Sequence, residues 1–189
     1  DGVMAVTPSA PRRYRFAVEQ FYRMGEAGIL AAGERVELVG GTTFTLAPPG
    51  PLQASVVARL TRVALGRTAD DVRVGVYNPH LDQYTEPRPS LCLSCDHPGH
   101  IAHPVPDDIF FVVEVVNGTL DNDRAGRLPL YAAAGVLESW LFDVKANILE
   151  RHTDPRDGVY QQVAQAERGQ LLASTTLPTI TLAVDDLLC

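Results

Sequence analysis

The run Ile109–Val116, reading IFFVVEVV, constrains this chain more than any other stretch. All but one of its residues are β-branched or aromatic, the pattern of a strand covered by protein on both faces. The exception is Glu114, which places a carboxylate inside that strand. A buried carboxylate is costly unless it is paired, protonated or bound to a cation. Two readings follow from the chemistry alone. Glu114 is held by a nearby Arg, Lys or backbone amide, or it is a metal-binding carboxylate.

The surrounding segment, from Asp107 to Asp143, organises the rest. After the strand, Asp121 or Asn122 can cap a helix over about Asp123–Ala134. Gly135 supplies its stop, and Ser139–Asp143 is the next strand. Trp140 and Phe142 in that strand read as core.

Further upstream, residues 1–13 hold Gly, Pro and Arg12–Arg13 without periodicity and read as a flexible tail before a domain at 14–189. From Arg15, apolar positions at Phe16, Val18, Phe21, Met24 and Ile29 predict an amphipathic helix ending near Gly33. Arg35–Val39 and Thr42–Leu46 flank Gly40–Gly41, a two-residue hairpin signal. A proline-rich loop precedes Leu52–Leu65, a second helix stopped at Gly66. Val72–Tyr77 and Ser90–Cys95 read as strands on either side of a polar loop. Beyond Asp143, Asn147–His152 and Val159–Ala164 form a hairpin around Asp154–Gly158. Short strands follow near Leu171–Leu172 and Ile180–Leu182. This order predicts an α/β or α+β fold with a mixed sheet.

At 189 residues, 46% hydrophobic and 21% charged, the chain reads as one globular domain with a sizeable core. No run approaches the ~18 apolar residues of a membrane helix, and no secretory h-region follows the first residues. The three cysteines lack framework spacing, which fits a reducing cytoplasm. A net charge of −7 argues against a nucleic-acid binder held by bulk positive charge. An enzyme gripping nucleic acid through a local basic cleft and divalent cations is still compatible with it.

Taken together, ERVELVGG (34–41), EPRPSLCL (86–93), VVEV (112–115), DRAGRLPLYAAAGV (123–136), ESWLFD (138–143) and LAVDDLL (182–188) resemble the Uma2 family. That family lies within the PD-(D/E)XK nuclease superfamily. The resemblance runs from about Tyr14 to Leu188. It implies an α/β restriction-endonuclease-like core with a central mixed β-sheet flanked by helices. It also implies a Mg²⁺ or Mn²⁺ cofactor, DNA as substrate and phosphodiester hydrolysis. In such chemistry, carboxylates on adjacent strand ends bind the cation, which polarises the phosphate and acidifies a bound water. A lysine helps orient or deprotonate that water.

The resemblance places the central-strand glutamate at Glu114, the metal ligand, and another acidic position at Glu37. The aspartate of the family's Pro-Asp pair falls on Ser90, its helix lysine on Arg127, and a histidine of the second helix on Gln53. A serine hydroxyl is neutral where a cation wants charged oxygen. An arginine cannot act as a base, because its pKa stays above ~12. Arg127 can clamp a phosphate, or pair with Glu114 and fill the cation position; the second reading is the simpler. A migrated carboxylate from Asp82, Glu86, Asp107 or Asp108 would be the alternative source of a ligand.

Other constellations carry an ordinary reading beside a sharper one. Cys95, His97, His100 and His103 supply enough donors for tetrahedral Zn²⁺, against a solvent loop with incidental histidines. Cys92 and Cys95 lie three apart on a strand and so point to opposite faces. Arg124 and Arg127 read as solvated or paired with Asp121 and Asp123, and Arg59, Arg62 and Arg67 as a solvated face or one turned to a polyanion. Two functions therefore stand: a Mg²⁺-dependent DNA endonuclease with a degenerate site, using Glu37, Ser90, Glu114 and Arg127, or a catalytically dead relative acting as a binding or regulatory module. The second needs a protein partner of unknown identity. A homodimer is the commonest symmetric assembly for either.

Overall fold

The structure is a computed structural model describing residues 12–96, 103–118 and 120–188. Ile109–Val116 is indeed a strand with protein on both sides, the fifth in chain order (β5). Before it come α1 (Val18–Glu26), β1 (Val36–Val39), β2 (Thr42–Thr45), α2 (Pro51–Leu65), β3 (Val72–Gly75) and β4 (Leu91–Cys95). After it come α3 (Leu120–Ala133), β6 (Glu138–Asp143), β7 (Ile148–Arg156) and β8 (Val159–Ala166). β9 (Leu171–Ala173), β10 (Thr181–Ala183) and α4 (Val184–Leu187) close the chain.

Six strands form the central sheet in the order β3-β4-β5-β6-β7-β8. β5 and β6 run parallel and every other neighbouring pair antiparallel, so the sheet is mixed. A parallel pair needs a crossover connection, and α3 supplies it. Side chains alternate along β5. Phe111, Val113 and Val115 pack with Val56, Leu60 and Ala64 of α2 and with Trp140 and Phe142 of β6. Val112 and Val116 pack on the opposite face with Leu128, Tyr131 and Ala132 of α3. Each such side chain, fully buried, contributes roughly 1.5–3 kcal/mol, which is why the two-faced strand dominates the fold. Glu114 falls between Val112 and Val116 and therefore belongs to the α3 face.

A smaller core joins α1 to the β1–β2 hairpin through Val18, Phe21, Val36 and Leu38. Gly40 and Gly41 turn that hairpin with φ of 58° and 81°, the left-handed pair of a type I′ turn. A Cβ at Gly41 would lie 2.5 Å from the Arg15 Cβ, so position 41 is restricted by packing as well as by its φ. The loop before β4 pairs back onto β1: Leu38 and Glu86 exchange backbone hydrogen bonds of 3.2 and 2.7 Å. β9 and β10 pair in a separate two-stranded sheet.

Several boundaries differ from the sequence expectation. The first helix stops at Glu26 rather than near Gly33, because Gly28 takes a positive φ of 72° and breaks the turn. The third helix begins at Leu120, earlier than Asp123. The β7–β8 turn is the two-residue Asp157–Gly158 pair, with φ of 51° and 75°, rather than a loop from Asp154. Pro155 misleads here; it sits inside β7, facing Tyr160 of the edge strand β8. Of the arginines expected to form a solvated or polyanion-facing face, Arg59 donates to the Leu188 carbonyl and Arg67 to the Thr181 carbonyl. The first ties the C-terminal segment to α2, and the second ties β10 to the turn that follows α2. The expected tail at 1–13 lies, apart from Arg12 and Arg13, outside the described residues. No helix among the described residues is long and apolar enough to cross a membrane.

Candidate functional site

Four segments far apart in the chain converge beside the C-terminal half of β5. β1 brings Glu37, and the backbone pairing of Leu38 with Glu86 carries Arg88 alongside it, so that the Arg88 N–H donates to Glu37 Oε2 at 3.1 Å. Ser90 precedes β4 and accepts a 3.0 Å hydrogen bond from the Val115 N–H through Oγ. From α2, Gln53 accepts from the Gly50 N–H at 3.1 Å and donates to the Val115 carbonyl at 3.1 Å. The same glutamine thus closes the first turn of its own helix and ties that turn to β5. α3 contributes Arg127 and Tyr131, four residues apart and so on one helix face.

Beside them opens a cleft of about 270 Å³, walled by Arg35, Gln53, Arg88, Ser90, Glu114 and Arg127 and by the loop Leu46–Pro49. Arg127 is its electrostatic centre. Its Nη1 lies 2.6 Å from Glu37 Oε2, and its Nε 4.0 Å from Glu114 Oε1. Tyr131, fully buried, donates its hydroxyl to the same Glu114 oxygen at 2.6 Å. Burial alone would lower the Arg127 pKa, but Glu114, Tyr131 and Glu37 outweigh it and hold the guanidinium charged above its ordinary range. Burial, followed by the Glu114 charge, pushes the Tyr131 hydroxyl up, so it stays a neutral donor. Arg35 is shifted the other way, first by burial and then by Arg88 and Arg127 beside it.

The structure brings Glu37, Ser90, Glu114 and Arg127 into one site. The expected ion pair of Arg127 with Glu114 is present, and a closer one to Glu37 is added to it. Arg127 makes its hydrogen bond to Glu37 and its longer ion pair to Glu114, to which Tyr131 also donates. Arg127 is not an exposed helix cation. Arg124, one turn earlier, forms a bidentate pair with Glu150 of β7.

The divalent cation implied by a nuclease core is not matched by these side chains. Mg²⁺ prefers near-octahedral oxygen and one or two carboxylates. Here Glu37 already accepts from the Arg127 guanidinium and the Arg88 N–H, and position 90 offers a neutral hydroxyl. Among the described residues no group of three or more His, Cys, Asp or Glu side chains is placed to hold a metal ion. The migrated ligands are not there. Asp82 accepts from the Tyr84 N–H at 2.6 Å within its own turn. Glu86 is buried against Tyr22, with His80 and His103 nearby. Asp107 and Asp108 sit in a 3₁₀ turn before β5, and neither lines the cleft. Of the zinc candidates, His97 and His100 lie outside the described residues; His103 Nδ1 is hydrogen-bonded to the Asn78 carbonyl at 2.8 Å.

Sequence reasoning missed Tyr131, Arg35 and Arg88. The i+4 spacing from Arg127 was the available signal for Tyr131. Nothing local marks the two arginines, whose meeting depends on the pairing of the 82–88 loop with β1.

Residues 18–185 match the Uma2 family, described as "putative restriction endonuclease". Among solved structures, the chain is similar to a protein from Anabaena variabilis titled a putative nuclease of the DUF820 group. The two share 12% sequence identity with a TM-score of 0.70, over 91% of this chain and 97% of that one. At that identity the likeness establishes the fold: a restriction-endonuclease-like α/β core with its mixed sheet between helices. No curated protein matches the chain. With a family match from residue 18 to residue 185, the chain belongs to the Uma2 family.

Proposed function

We propose that this protein is a nuclease-fold member of the Uma2 family whose phosphodiester-hydrolysing centre has been dismantled, leaving a binding or regulatory module. One observation carries the reading: the Arg127 guanidinium lies between Glu37 and Glu114, at 2.6 and 4.0 Å. A fixed organic cation there neutralises the carboxylates that a metal would need. It has no proton to give or take near neutral pH. Ser90 weakens the centre further, since a hydroxyl oxygen already accepting the Val115 N–H is a poor ligand for a hard dication.

Calorimetric titration of Mg²⁺ and Mn²⁺ tests this. The unmodified protein is expected to show no saturable binding. Ser90→Asp combined with Arg127→Lys is expected to gain it, because the pair restores an anionic oxygen and frees the carboxylates. Saturable binding by the unmodified protein, abolished in Glu114→Ala, would overturn the proposal. It would favour a DNA endonuclease with Glu114 and Glu37 as carboxylates and Arg127 as phosphate clamp, to be followed by DNA cleavage assays.

A further inference from the structure

The same cleft carries more positive charge than its carboxylates take up. Arg35, Arg88 and Arg127 all line it, against Glu114 on its wall and Glu37 bonded to Arg127. Arg127 is engaged with those carboxylates. Arg35 donates one Nη to the Ala47 carbonyl at 2.8 Å and forms no ion pair among the described residues. The Arg88 side chain makes no hydrogen bond or ion pair among them, and its Nε is buried without a partner. A buried donor without a partner is a standing cost, larger when the group is charged. Gathering three guanidiniums in one cleft adds mutual repulsion, in a chain whose overall charge is −7. Both costs fall away if an anion occupies the cleft.

The side chains that unfit the site for a cation fit it for an anion. Ser90 brings a neutral hydroxyl and no negative charge to the cleft wall. The Ser90 oxygen accepts from Val115, which leaves its own proton to donate into the cleft. A planar carboxylate is satisfied by one guanidinium fork. A tetrahedral phosphate has oxygens for donors on several sides, and arginine forks suit it.

We propose that the cleft binds a phosphate group directly, without a divalent cation, through Arg35, Arg88 and the Ser90 hydroxyl, while Arg127 keeps Glu37 and Glu114 neutralised beside it. The inference rests on the reading that no metal is held here. The ligand class is a phosphate oxyanion, as a free or terminal phosphate or as the diester of a nucleic-acid backbone.

Calorimetry on the full chain in the presence of a chelator tests it with two probes: inorganic phosphate, and a hexadeoxynucleotide lacking terminal phosphates. Saturable binding of at least one is expected. Arg88→Gln and Arg35→Gln should each weaken it about tenfold or more, as expected for a lost charge-assisted hydrogen bond. Arg88→Lys should retain part of it. Binding of inorganic phosphate alone assigns the cleft to a free or terminal phosphate, and binding of the oligonucleotide assigns it to the diester backbone. Thermal unfolding of each variant controls for folding, and Arg88→Gln, which removes an unpartnered buried donor, should unfold no earlier than the unmodified protein. Absence of binding by both probes, or affinity unchanged in Arg88→Gln, would overturn the inference alone. Binding that appears only with Mg²⁺ or Mn²⁺ would overturn it together with the dismantled-centre reading.

Discussion

At the scale of single residues, the site is a balance of buried charges, and its members are unequal. Arg127 compensates two carboxylates that are themselves almost inaccessible, Glu37 at 5% and Glu114 at 6% exposure. Removing it takes away a cation paired with both, so Arg127→Met is expected to destabilise the protein by about 3–5 kcal/mol. Tyr131→Phe removes one neutral donor to Glu114 and should cost less, about 1–3 kcal/mol. Urea denaturation checks both. Equal losses in the two variants would mean that Arg127 is solvated rather than engaged with the carboxylates. The serine at position 90 has a different part, since its hydroxyl ties the start of β4 to the Val115 amide of β5.

Among the elements, α3 is the one on which the site depends. Arg124, Arg127 and Tyr131 recur at three- and four-residue spacing, and each reaches a different strand: Glu150 on β7, Glu37 on β1 and Glu114 on β5. Leu128 and Ala132 bury the adjoining stripe against the sheet. Yet its intrinsic propensity is poor, with Gly126 and Pro129 both inside the helix. Pro129 has no N–H to offer the Ala125 carbonyl, and Gly126 loses more backbone freedom on folding than any other residue would. Tertiary contacts, not propensity, hold α3 in place. A Cβ at Gly126 would meet nothing within 4 Å. Gly126→Ala is therefore expected to stabilise the protein by about 0.5–1 kcal/mol, read as a raised urea midpoint. A lowered midpoint would show that the glycine is needed for the helix's path.

For the molecule as a whole, the outer half of the sheet is tied to α3 by a pair that acid breaks. Burial alone would raise the Glu150 carboxyl, but hydrogen bonds from His152 and Arg124, with the charge of Arg124, hold it down at about 2 from an ordinary value near 4.5. A carboxyl with a folded pKa below its unfolded one stabilises the fold above the unfolded value. That stabilisation disappears as the pH falls from about 4.5 through about 2. Glu150→Gln should thus cost about 1–2 kcal/mol at neutral pH, discounted because Arg124 is partly solvated. Thermal unfolding from pH 7 down to 2 should show the variant and the unmodified protein converging at the acid end. A gap constant with pH would show that the Glu150 charge contributes nothing.

Sequence alone determined what depends on near neighbours along the chain. An almost unbroken β-branched and aromatic run marked β5 as covered on both faces, Gly40–Gly41 marked the first hairpin, Gly135 the end of α3, and the order of elements the mixed sheet. Those signals are local because backbone conformation and side-chain direction repeat every two residues or every 3.6. Residue type also marked Glu114 as a carboxylate in need of a partner. Only the tertiary structure decided which partner. Glu37 and Arg127 stand 90 positions apart, and no periodicity relates them. They meet because α3 crosses from β5 to β6 over one sheet face while the 82–88 loop zips onto β1, bringing Arg88 beside Glu37. Tyr131 and Arg127 both reach the same Glu114 oxygen, at 2.6 and 4.0 Å, because one helix turn separates them on α3. The excess of guanidinium in the cleft has the same origin: three arginines, each unremarkable in its own segment, acquire a common field only when packing puts them around one space.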